Sequence, residues 1–224
     1  FTADASHELR TPLTSIRSVG EVALSSSVKD KSCREAIGSM LEETEKLTDV
    51  VDRLLGLARA DSRKIELSSD QVSLHSLLAE VVEELHVLAE EKEQSMILES
   101  GPDITVTGDR ATLRQAFSNV VHNALRYTQR GGCIRISVRT ENGLASVRID
   151  DNGPGIPEEK REKVFERFFR LDRARSRLDG GTGLGLSIAK WAVEANGGTI
   201  KFCSKEGPGG LCCINFSAKK DPGL

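Results

Sequence analysis

The first sixty or so residues carry two apolar seams at helical spacing, and no other feature narrows the possible folds as far. Leu9, Leu13, Ile16, Gly20 and Ala23 recur at four- and three-residue intervals, which sets them on one stripe of an α-helix. Ile37, Met40, Thr44, Leu47, Val51, Leu54 and Ala58 repeat the pattern, and Ser25-Ser26-Ser27 between the two marks a turn. The spacing predicts helices over about 1–26 and 31–61, folded back as an antiparallel hairpin. A lone hairpin buries two seams poorly. Two copies pairing into a four-helix bundle would bury both, so a homodimer is expected.

His7 stands apart from the seam. It lies two residues before Leu9, about 200° around a helix that turns ~100° per residue, so its imidazole points to water. Glu8 is its neighbour, and Thr11 sits one turn on, on the same face. Pro12 deletes the hydrogen bond to the Glu8 carbonyl and crowds it, at roughly 3 kcal/mol. The seam runs on to Ala23, so the expectation is a functional bend and not the helix end.

Beyond residue 60 the period changes. Asp61-Ser-Arg-Lys and Leu67-Ser-Ser-Asp70 read as a linker. A helix is expected over 73–93, short strands near 95–99 and 104–107, and a helix over 109–127. Cys133–Thr140 and Leu144–Asp150 read as a hairpin around Glu141-Asn142-Gly143, with Ile134, Ile136 and Val138 alternating. A helix near 183–196 and strands near 199–204 and 210–217 complete the pattern. The fold class is therefore α+β: a helical hairpin forming a dimeric four-helix bundle, then an α/β sandwich with a mixed sheet. The domains expected are 1–66 and 67–224.

Composition limits the partners. The 224 residues are 38% hydrophobic and 29% charged, as in a soluble globular protein, and the net charge of −3 offers no electrostatic case for nucleic acid. No run of 18 apolar residues occurs, so no segment reads as a membrane span. Cys33, Cys133, Cys203, Cys212 and Cys213 are odd in number and form no CxxC pair. That disfavours zinc and a disulfide framework and fits a reducing cytoplasm. The chain starts at Phe1, already inside a patterned helix. It reads as a piece of a longer polypeptide whose preceding part could hold a membrane anchor.

Four features of residues 109–198 converge on a nucleotide. Asn119 and Asn123 share a helical face at i and i+4, and their hard amide oxygens suit Mg²⁺. Arg126 can reach a phosphate and Tyr127 can lie along an adenine ring. Asp151-Asn152-Gly153-Pro154-Gly155 follows an apolar strand. Gly153 and Gly155 permit a tight turn, and the Asp151 carboxylate can accept from the adenine amine. Gly180-Gly181-Thr182-Gly183-Leu184-Gly185 opens a helix, and its free N–H groups make a phosphate cradle. Phe165, Phe168 and Phe169 lead into the charged run 172–179, read as an aromatic hinge before a lid, with Arg170 available to phosphates. Each feature alone also suits an ordinary structural use; their order together is specific. No GxxxxGK[ST] or GxGxxG motif occurs.

Taken together, these residues resemble the catalytic core of bacterial sensor histidine kinases, the phosphodonors of two-component signalling. His7-Glu8-Leu9-Arg10-Thr11-Pro12 looks like the phosphoacceptor motif, and the four features look like the ATP-site motifs in family order. The resemblance implies a dimerising phosphotransfer hairpin joined to a GHKL-type ATP-binding domain. It implies that His7 is phosphorylated, that Glu8 assists as base, and that Thr11 helps position water for dephosphorylating a partner. ATP and Mg²⁺ would be the cofactors, with Asn119 and Asn123 holding the metal. The nucleotide set would be Asn119, Asn123, Arg126, Tyr127, Asp151, Gly153, Gly155, Arg170, Thr182, Gly183, Leu184 and Gly185. The partners would be a second copy and a response-regulator receiver domain docking near 13–24 and 34–48. The segment would be the cytoplasmic portion of an inner-membrane sensor. The competing reading is an ATP-binding conformational module that leaves no phosphate on the protein. His75 and His86 read as surface residues and Trp191 as core. A zinc protease is excluded because position 11 is Thr.

Overall fold

The structure, a computed structural model, describes residues 13–20, 33, 35–41, 44, 47, 67–171 and 182–217. His7, Glu8, Thr11, the bend at Pro12 and the 172–179 lid lie outside the described residues. The chain divides into two compact units, residues 1–63 with 172–184, and residues 64–171 with 185–224.

In the first unit, residues 13–20 and 35–41 are helical, as their periodicity predicts. Gly20 lets the two approach: a Cβ there would stand 2.6 Å from Met40 Cε. Leu13, Ile37 and Leu41 keep 53%, 51% and 60% of their surface exposed.

The second unit is built on two sheets. β1 (Asp70–Ser73) pairs antiparallel with β3 (Thr105–Gly108). The larger sheet runs β2-β4-β5-β7-β6, from β2 (Ser95–Leu98), β4 (Cys133–Glu141), β5 (Leu144–Asp151), β6 (Thr199–Phe202) and β7 (Leu211–Ser217). β2 pairs parallel with β4 and the other pairs are antiparallel, so the sheet is mixed as expected. Asn142 and Gly143 turn the β4–β5 hairpin at φ 52° and 76°, the double left-handed geometry of a type I′ turn.

Three helices cover one face: α1 (Leu74–Glu91), α2 (Arg110–Tyr127) and α3 (Gly185–Ala195). Between the layers lie Leu77, Leu78 and Val81 of α1, Phe117 and Val121 of α2, Ala192 of α3, and Ile134, Ile136, Val147, Ile149 and Ile214 of the sheet. Trp191 packs at the edge of this core and His86 is exposed. The opposite sheet face carries ion pairs, including Arg139–Glu99 at 2.9 Å and Arg148–Glu141 at 2.7 Å.

The polar stretch up to Asp70 reads as linker, yet Asp70 opens β1. Val72 alone of that strand packs into the core, so its apolar signal is a single residue. Pairing with β3, more than thirty residues away, makes the strand.

Candidate nucleotide site

α2 is fastened at both ends. At its start Asp109 is the N-cap, accepting from Thr112 N at 2.8 Å and Thr112 Oγ1 at 2.6 Å, and from Ser68 N at 3.2 Å. The Thr112 hydrogen bond, foremost, holds the Asp109 carboxyl down to about 2. At its end, carbonyls that a helix leaves without partners are taken by two side chains. Gln94 Nε2 donates to Leu125 O (3.0 Å) and Thr128 O (2.6 Å), and Lys92 Nζ donates to Leu125 O (3.1 Å). Asn119 and Asn123 thus ride on a rigid helix, each half-buried. At the end of α2 the Arg126 guanidinium lies over the Tyr127 ring, 5.7 Å from its centroid.

Asp151 is the last residue of β5. Burial pushes its carboxyl up; the amides of Gly153 and Gly210 and the nearby Lys205 charge oppose this, and the Asp150 charge adds to it. Oδ1 accepts from Gly153 N at 2.9 Å and Gly210 N at 3.1 Å, while Oδ2 takes neither. A carboxylate partly withdrawn from water, with one oxygen committed to backbone amides, holds the other oxygen in a defined direction.

The 203–210 segment surrounds it, and the motif reading missed this loop. Gly209, at φ +113°, brings its Cα so close to the Asp151 carbonyl that an added Cβ would stand 1.8 Å from that oxygen. Gly155, at φ +74°, would carry a Cβ 2.6 Å from Gly209 O. What crowds Gly155 is therefore the chain's own loop. Gly207-Pro-Gly-Gly210 was a legible turn signal, but nothing local ties it to Asp151, fifty-odd residues earlier.

Phe165 packs on Phe202, ring centroids 5.5 Å apart. Phe168 takes φ +61°, a conformation costing a bulky residue of order 1–3 kcal/mol. Two residues on, Arg170 Nε and Nη2 are buried without a hydrogen-bond partner. Such buried donors need an acceptor. Thr182 Oγ1 is likewise buried and unpaired, Gly183 takes φ +69°, and α3 starts at Gly185. Thr182, Gly183 and Leu184 belong to the first unit. Of the predicted nucleotide residues, the second unit holds Asn119, Asn123, Arg126, Tyr127, Asp151, Gly153, Gly155, Arg170 and Gly185. Within it the α2 end and the Asp151 turn meet: a Cβ on Gly153 would stand 3.0 Å from Tyr127 O.

The cysteines are all free. Cys212 and Cys213 are both buried, and burial pushes the Cys213 thiol up to about 12, so it is a packing residue and not a nucleophile.

Residues 108–221 match the histidine kinase-, DNA gyrase B-, and HSP90-like ATPase family, and the chain belongs to it. Residues 1–63 match the His Kinase A (phospho-acceptor) domain, and the two in this order make the chain a sensor histidine kinase core. It is 34% identical over 222 residues to the sensor-like histidine kinase SenX3 of Mycolicibacterium smegmatis, covering 99% of this chain and 58% of that protein. The chain thus spans little more than half the length of that relative. Among solved structures it resembles the Acinetobacter baumannii histidine kinase AdeS, with TM-score 0.78, 24% identity and coverage of 96% and 98% of the two chains. It also resembles full-length ShkA in complex with AMPPNP, with TM-score 0.73, 27% identity and coverage of 98% and 46%.

Proposed function

We propose that this chain transfers the γ-phosphoryl group of ATP to His7 and then to an aspartate of a response regulator, which it also dephosphorylates. The observation that carries the nucleotide half is the Asp151 carboxylate, gripped through Oδ1 by Gly153 N and Gly210 N, with Oδ2 left to accept from an exocyclic amine. The relative ShkA, solved with the ATP analogue AMPPNP, supports the ligand class. The phospho-acceptor match over residues 1–63 supports His7 as the receiver.

In this reading residues 1–66 present the imidazole and residues 67–224 hold the nucleotide. The half-buried Asn119 and Asn123 amides fit Mg²⁺ as hard oxygen donors. The ion, when bound, neutralises phosphate charge. Arg170, with two buried guanidinium nitrogens lacking acceptors, would take phosphate oxygens, with Arg126 beside it in role. The Thr182–Gly185 run would cradle the phosphate chain. A ring nitrogen of His7 attacks the γ-phosphorus, the bond to the β–γ bridging oxygen breaks, and ADP leaves. Glu8 accepts the hydrogen bond of the far ring N–H, raising the nucleophile's electron density. Thr11 would orient water during dephosphorylation. Positioning and charge neutralisation supply the rate.

The exposed Leu13, Ile37 and Leu41 side chains favour a second copy completing a four-helix bundle. The response regulator would dock beside His7. Among the described residues no helix is long and apolar enough to cross a membrane. Use of ATP and free thiols fit a cytoplasmic position, with the full-length protein anchored in the inner membrane.

The test is incubation with γ-labelled ATP. His7→Gln is expected to abolish acid-labile labelling and to leave ADP binding unchanged; normal labelling of that variant would refute His7 as acceptor.

A further inference from the structure

Lys205 lies in the 203–210 loop, outside every motif of the ATP site. Its side chain is only 17% exposed, and its ammonium is engaged twice. It donates to the Asp150 carboxylate and, at 2.8 Å, to the backbone carbonyl of Asp151. That same carbonyl is the oxygen against which Gly209 packs. The loop therefore grips Asp151 from both ends: by an ammonium at its start, and by Gly209 and the Gly210 amide at its finish. A further bond, Arg161 Nη1 to Ser204 Oγ at 2.7 Å, ties the loop's first residues to the segment after the Asp151 turn.

We propose that Lys205 is a positioning residue of the nucleotide site, pinning the Asp151 main chain and the glycine loop so that the carboxylate faces the adenine amine. This rests on the reading of Asp151 as the adenine acceptor. An ammonium with two charge-assisted or carbonyl acceptors, mostly out of water, resists displacement far better than an exposed ion pair. It also stands close enough to Asp151 to favour the ionised carboxylate that an amine donor requires, opposing the burial that disfavours it. The charged or titratable groups acting on or near this carboxyl are Lys205, Asp150 and, from β7, Cys212. Asp150 acts in the opposite sense to Lys205, raising the Asp151 carboxyl. A merely structural lysine would not predict that the two neighbours shift nucleotide binding along the pH axis in opposite directions.

The experiment measures ADP affinity of the whole chain from neutral pH down through the acid limb of binding for wild type, Lys205→Met, Lys205→Arg, Asp150→Asn and Asp151→Asn. Lys205→Met is expected to weaken ADP roughly tenfold at neutral pH, the scale of one charge-assisted hydrogen bond, and to move the acid limb of binding to higher pH. Lys205→Arg should recover most of the affinity, and Asp150→Asn should move the acid limb to lower pH. If Lys205→Met fails to fold, the direction of the Asp150→Asn shift still decides the matter. Wild-type affinity and an unmoved limb in Lys205→Met, or no downward shift in Asp150→Asn, overturns the proposal. If Asp151→Asn binds ADP like wild type, the adenine reading itself is wrong and the pin falls with it. Loss in Asp151→Asn with no effect at Lys205 sinks the pin alone.

Discussion

Replacing Gly209 with alanine asks whether the 203–210 loop sets the place of Asp151. A Cβ at Gly209 would stand 1.8 Å from the Asp151 carbonyl oxygen, against the 3.0 Å below which such contacts are not found. The two must part by about 1.2 Å. The obstacle is backbone, so no side-chain rotation relieves it. A misplacement of about 1 Å in a positioned site can cost roughly a hundredfold in rate, and that is the expected fall in labelling rate, with a clear loss of ADP affinity beside it. The backbone at φ +113° adds about 1–3 kcal/mol of strain for any residue with a Cβ. Gly207→Ala is the matched control. It lies in the same loop at φ +82°, but its added Cβ would meet nothing within 4 Å. It should lose about 1 kcal/mol of stability and keep ADP affinity within about threefold of wild type, well inside the loss expected from a 1 Å displacement. Isothermal titration with ADP and urea unfolding of both variants separate the two effects. Equal losses of ADP affinity in the two variants would refute the claim that contact with Asp151, and not loop strain, governs the site.

Two further outcomes are expected. Asp109→Ala removes the α2 cap and should cost about 1 kcal/mol at pH 7. The Asp109 carboxyl is depressed to about 2 in the folded chain, so its contribution is present above the ordinary value of 3.8 and is lost as pH falls toward 2. Urea midpoints of wild type and variant should converge there, and a constant gap down to pH 2 would rule out the charged cap. Ile37→Lys with Leu41→Lys puts charge on two exposed apolar positions. Sedimentation should show a shift from dimer toward monomer, and unchanged association would remove this face from the proposed interface.

Long elements were readable because their signals are local. α2 pairs an Asp N-cap with an apolar stripe, and the reading of 109–127 sits one residue from the observed Arg110–Tyr127. The β4–β5 hairpin carries Asn-Gly at the only two positions that need φ above zero. The ATPase family was readable from residue types at fixed spacing. β1 was not, because a strand with one inward residue looks like a polar linker until its partner is known. The loop around Asp151 was equally silent. Lys205, Gly209 and Gly210 touch residues 150 and 151 only through the pairing of β5 with β7.

Linear order and periodicity were thus enough to anticipate the helical stretches at 13–20 and 35–41, a mixed α/β unit after them, and the ATPase family of that unit, ahead of any coordinates. Periodicity and capping act over a few residues, so they are written along the chain. The depth of Asp151, the direction of its free oxygen and the clamp of Lys205 were decided by the folded sheet. Those properties depend on desolvation and on contacts between segments more than fifty residues apart, and no short stretch of chain encodes them.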